Sequence, residues 1–223
     1  MRTLLWAEYK KLRRSSIVWI TVFATVMIAV IVFVEGQGIH DGPDVQYGLK
    51  IVHEGSQYID NVGWYMDEAQ PLATFFVLPA VIALLGSYMI CREEEDDTLK
   101  SLRLIPVNEV KLTTAKMIMA FMFSVFIYLL LFSITLLTEA VLHFSDLSAA
   151  LVLKCLKEYL GDGIGVFLAV SPIIAFVARM KKGYWIALVF TEIYSCAGLF
   201  AGMSSELLYL YLSLIHISEP TRH

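Results

Sequence analysis

Along the chain, long apolar runs alternate with short polar connectors, and the run lengths set the architecture. Ser16 to Val34 reads SIVWITVFATVMIAVIVFV, with no charge, close to the roughly 20 residues that carry a helix across a hydrocarbon core. It is longer than the ~7 to 15 residue core of a cleavable signal peptide, so the pattern predicts an uncleaved first span at 16–34. Further spans are predicted at 71–90, 117–137 and 183–201. A fourth crossing is less regular: LVLKCLKEYLGD, Leu151 to Asp162, is amphipathic and leads directly into an apolar stretch from Gly163 to Ala178. The crossing is placed at 159–178, with 147–158 lying along the interface. Arg179 to Lys182 alone separates it from the fifth span, which predicts a tight helical hairpin. Ser204 to Leu212, SSELLYLYL, reads as the start of a sixth span that is cut off. The expectation is an all-α polytopic membrane protein with one domain over 1–211, an outer loop at 35–70 and an inner segment at 91–116.

Composition agrees with that reading. Of 223 residues 58% are hydrophobic and 17% charged, and the mean hydropathy of +0.68 lies outside the range of ordinary soluble domains. Orientation follows from the basic residues, because positive loops tend to stay cytoplasmic. With the N-terminus inside, Arg2, Lys10, Lys11, Arg13 and Arg14, then Arg92, Lys100, Arg103, Lys111 and Lys116, then Arg179, Lys181 and Lys182 all face inward. The outer side keeps Lys50, Lys154 and Lys157, and the loop 35–70 sets seven acids against one lysine. The amphipathic segment MRTLLWAEYKKLRRSS, with Leu4, Leu5, Tyr9 and Leu12 at helical spacing, suits the inner headgroups of the lipid bilayer. A plain basic flank that stops transfer gives the same composition. The last residues, LSLIHISEPTRH from Leu212, have a back-translation that coincides with a transposon-based sequencing adaptor. Residues 212–223 are therefore expected to be non-native and are kept out of fold reasoning.

Few chemical motifs are present. There is no G-x-x-x-x-G-K-[ST] loop, no G-x-S-x-G elbow and no H-E-x-x-H. His40, His53, His143, His216 and His223 form no metal-ligand pair, and Cys91, Cys155 and Cys196 are too far apart for a disulfide framework or a metal knuckle. No cofactor, metal or nucleic acid is expected on this chain, nor a catalytic residue. Gly161, Gly163 and Gly165 in GDGIG suit helix entry or close packing rather than a dinucleotide. Glu192, mid-span in ALVFTEIYSC, is costly in hydrocarbon and is expected to face protein or water, or to be protonated. It is either a polar point on a substrate path or part of a helix-to-helix hydrogen bond through Thr191, Tyr194 or Ser195. Pro79 and Pro172 are expected to kink their helices.

The connector from Cys91 to Leu112, CREEEDDTLKSLRLIPVNEVKL, concentrates charge between two apolar runs. Taken as a helix over Glu93 to Leu104, it places Glu93, Glu94, Glu95, Asp96 and Asp97 in the first turns and Lys100 and Arg103 near the end, as the helix dipole favours. Leu99, Leu102 and Ile105 form a short apolar stripe. Pro106 breaks the helix, and Asn108 caps the next, beginning at Glu109. A solvated charge run is the plain alternative.

REEEDDTLKSLRLIPVNEVKLTTAKM resembles the cytoplasmic loop of ABC-2 type permeases in Glu93, Glu94, Glu95, Thr98, Leu99, Lys100, Leu102, Pro106, Val107, Leu112 and Lys116. Asp97 stands where that family has glycine, and Asn108, Glu109 and Val110 where it has serine and arginine. LLWAEYKKLRRSSIVW before the first span is also similar, and the span order agrees. Within the family the sequence looks most like permeases of bacitracin resistance and lantibiotic immunity. The resemblance implies an ABC-2 type helical bundle in a bacterial cytoplasmic membrane. It further implies an exporter subunit, no enzyme itself, that works with a second permease copy or paralogue. A separate ATPase subunit would handle ATP and magnesium and dock on Glu93, Glu94, Glu95, Thr98, Leu99, Lys100, Leu102 and Pro106, and the cargo would be amphipathic or peptide antibiotic-like compounds. The rival reading is an ATP-independent secondary transporter or channel that uses Glu192.

Overall fold

The computed structural model describes residues 2–47, 50–95, 109–177, 180 and 184–202. Seven α-helices account for most of them. Helix α1 (Arg2–Arg13) precedes α2 (Ser16–Gly36), and the Ser15 hydroxyl caps α2 by accepting from the Ile17 N–H at 3.4 Å. α3 (Trp64–Leu72), a π turn (Ala73–Val77) and α4 (Leu78–Glu95) follow as one continuous rod, of which Trp64–Arg92 is long and apolar enough to cross a membrane. α5 (Glu109–Leu142) and α6 (Ala149–Val177) also qualify, as does α2; α7 (Tyr184–Gly202) is apolar and shorter. The architecture is the expected all-α polytopic bundle.

Burial decides which helix is central. α4 packs on α6 and α7 and also touches α5. Its Leu78, Ile82, Ala83, Leu85 and Ser87 are completely buried. By contrast α2 leaves Trp19, Ile20, Phe23, Val30 and Val34 exposed. In a chain that crosses a bilayer such a face meets lipid tails, so its exposure carries no penalty. α1 packs against α5, burying Leu12 while Trp6 and Tyr9 stay exposed. Glu8, also buried, pairs with Lys11 at 2.9 Å.

Three expectations change. α6 is one unbroken helix from Ala149 to Val177, so no separate interfacial element at 147–158 precedes a span at 159–178. Gly161, Gly163 and Gly165 lie inside it because tertiary packing outweighs their low helix propensity. Glu93, Glu94 and Glu95 are the continuation of α4 and do not open a new helix, since nothing between Ile90 and Glu95 breaks the pattern. The outer loop, finally, carries a small antiparallel hairpin, β1 (Val45–Tyr47) with β2 (Lys50–Val52), paired Val45 to Val52 and Tyr47 to Lys50. His40 ties this cap together, with Nδ1 3.2 Å from the Tyr58 hydroxyl and Nε2 3.0 Å from the Pro43 carbonyl oxygen, and Tyr58 stacks on Trp64. The sixth-span start at Ser204 and the tail 212–223 lie outside the described residues.

Candidate functional site

The most unusual place in the bundle is a polar network among buried apolar side chains where α3, the π turn, α5 and α6 meet. Asp162 of α6 is 2% exposed. Its Oδ2 accepts from Gln70 Nε2 at 2.8 Å and from Thr74 Oγ1 at 3.0 Å. Tyr128 of α5, fully buried, donates its hydroxyl to Thr74 Oγ1 at 3.1 Å. Asp162 Oδ1 is buried with no hydrogen-bond partner among the described residues. Helical spacing explains the assembly: Gln70 and Thr74 are four apart and project on one side of the α3–α4 rod, toward the midpoint of α6.

The backbone around Asp162 is held as closely as its carboxyl. Ser124 of α5 donates to the Gly163 carbonyl oxygen at 2.7 Å, and Tyr159 of α6 donates to the Met66 carbonyl oxygen at 2.8 Å. A Cβ built on Gly163 would lie 3.2 Å from the Val125 Cα, so glycine is what lets α5 and α6 approach here. The close-packing reading of GDGIG therefore holds at Gly163. Nearer the N-terminal end of α6, side-chain donor atoms of Cys155 and Glu158 and of Asp67 on α3 lie within 4.8 Å of one another, and Glu158 pairs with Lys154 at 3.7 Å. A second buried acid, Glu139 of α5, accepts at Oε2 from the Nδ1 side of His143 at 2.8 Å.

Asp162, Gln70, Thr74 and Tyr128 escaped the sequence reading, which noted the glycines around Asp162 but not the acid between them. The available signal was an Asp at the centre of an apolar stretch, the same argument that singled out Glu192. Glu192 itself is half-buried on α7. Beside it Thr191 and Ser195 are buried, and Thr191 donates to Ala187 O of its own helix at 2.7 Å. Of the proposed docking residues, Glu93, Glu94 and Glu95 lie at the end of α4. Thr98, Leu99, Lys100, Leu102 and Pro106 lie outside the described residues.

Comparison with known proteins agrees with the bundle. The family model described as ABC-2 family transporter protein matches residues 4–198. The chain belongs to the ABC-2 family. This ABC-2 chain is also 32% identical over 124 residues to the bacitracin transport permease protein BCRB of Bacillus licheniformis. That match covers 54% of the chain and 59% of the relative, so the chain spans about three fifths of that protein's length. No solved structure matches it. Both the hairpin-capped outer loop and the Asp162 network fall within the span of the ABC-2 match.

Proposed function

We propose that this chain is the membrane-spanning permease subunit of an ATP-driven exporter in a bacterial plasma membrane, with its N-terminus in the cytoplasm. The observation that carries the reading is the ABC-2 match over residues 4–198. It works with a separate ATPase subunit, which holds ATP and magnesium, and with a second copy or paralogue of the permease. The likeness to a bacitracin permease supports a cargo of amphipathic or peptide antibiotic-like compounds. The route for coupling is the segment 91–112. Glu93, Glu94 and Glu95 continue the central helix α4, so a force applied at the acidic run reaches the bundle core through one rod rather than through a lipid-facing helix. Thr98, Leu99, Lys100, Leu102 and Pro106 complete the docking surface in this proposal.

Two measurements test it. Vesicles holding the chain with its cognate ATPase should show vanadate-sensitive transport, and transport that persists without the ATPase would favour an ATP-independent transporter. Reversing Glu94 and Glu95 to Lys should abolish copurification with the ATPase while leaving membrane insertion intact. Normal recovery of the complex would remove the docking assignment. Glu192→Gln decides the remaining site: unchanged transport makes Glu192 a packing residue.

A further inference from the structure

Asp162 has a setting that a structural hydrogen bond alone does not require. It is the fourteenth residue of a 29-residue helix, with about 20 Å of helix on either side at 1.5 Å per residue. Its direct partners, Gln70 and Thr74, are neutral and both approach the same oxygen, Oδ2. The titratable groups that face it are Tyr128 from α5 and Tyr159 and Glu158 from α6; Asp67 of α3 lies beyond, against Glu158 and Tyr159. None of these is a cation. Lys154 pairs with Glu158 and reaches the group through it. A carboxylate sealed in hydrocarbon with neutral donors on one oxygen and nothing on the other is the arrangement that buried charges avoid.

We infer that Asp162 is a proton-binding site at the heart of the membrane domain, with the proton on Oδ1 and both hydrogen bonds accepted by Oδ2. In that form the carboxyl pins the α3–α4 rod to α6 through Gln70 and Thr74 without burying a charge. Release of the proton leaves an anion beside Glu158 and Tyr128, which favours separation of the two units or entry of water. Glu158 stands one turn nearer the N-terminal end of α6 and is only half-buried, so it is the group placed to pass a proton between Asp162 and the surface. The π turn contains Thr74 and begins three residues after Gln70, so the pin acts close to where the rod departs from regular α-helix. Single-turn π insertions are often found at functional sites. The inference concerns this chain alone and stands or falls separately from its cargo and its ATPase.

The full chain in lipid nanodiscs tests it by infrared spectroscopy. At neutral pH the wild type should show a protonated-carboxyl stretch that shifts when the chain carries [4-13C]aspartate and fades as the pH is raised. D162N should lose that band, whereas D67N and E192Q should keep it. The inference is overturned if the wild type shows no such band, if the band ignores the aspartate label, or if it survives in D162N. Should D162N fail to insert, the isotope shift in the wild type together with retention of the band in D67N decides the matter.

Discussion

At Gly163 two transmembrane helices meet with no room for a side chain. The Val125 Cα would be 3.2 Å from an added Cβ, and the carbonyl of the same glycine accepts from Ser124. Backbone cannot swing aside as a side-chain tip can, so Gly163→Ala forces α5 and α6 apart and lengthens that bond. The expected loss is about 1–3 kcal/mol, read as a lower melting temperature in detergent with unchanged helix content. An exposed residue of the outer loop behaves differently. Asp44 accepts from the His53 ring at 3.0 Å and from the Glu54 N–H at 3.1 Å. The His53 hydrogen bond, with help from the Glu54 N–H, holds the Asp44 carboxyl below its ordinary 3.8. Because the folded value is lowered, the contact's contribution is present above the ordinary value and is lost as the pH falls through the lowered one. An NMR titration should place Asp44 below a typical aspartate, and His53→Ala should move it back up.

Among the elements, the π turn Ala73–Val77 sets the phase of everything above it. A π turn holds one more residue than the α-helix it interrupts, and one residue is about 100° of rotation. Deleting Phe76, 47% exposed and inside the turn, should restore α register and rotate α3 relative to α4. Gln70 then leaves Asp162 and Tyr159 loses the Met66 carbonyl, so the deletion should destabilise the protein far more than Phe76→Ala, which keeps the register. Thermal melts of the two variants compare the effects directly. α6 shows the opposite behaviour: Pro172 and three glycines do not interrupt it, because its packing against α4 and α5 outweighs local preference.

For the whole molecule, orientation is the property that impermeant labelling reads. Cys91 and Cys155 are buried and Cys196 is exposed, so a Cys196→Ser background leaves little native reactivity. In intact cells Glu54→Cys should react with a membrane-impermeant thiol reagent, whereas Lys10→Cys should react only after permeabilisation. The reverse pattern would invert the proposed topology. Labelling of Glu54→Cys also tests whether the hairpin cap faces outward, since both positions are exposed on the structure.

How much of this was legible depends on the range of the forces involved. Four of the five predicted runs form helices long and apolar enough to cross, the last forming the shorter α7, and α2 matches its run closely, because the length of hydrocarbon to be crossed and the need to satisfy every backbone group act on any segment locally. Local pattern misplaced the boundary inside α6 and the beginning of the acidic helix, where composition changes but the backbone does not. The π turn carried no signal, since its phase serves contacts with residues some ninety positions away. The same holds for Asp162: in sequence it is a polar residue between glycines, and Glu192 in an apolar run was the more conspicuous acid. What the sequence determined by itself was a polytopic helical chain. Only the tertiary structure decided which helix is central and which carboxyls are sealed. Lipid tails and protein interior are equally apolar to a side chain, so hydrophobicity cannot tell the two apart.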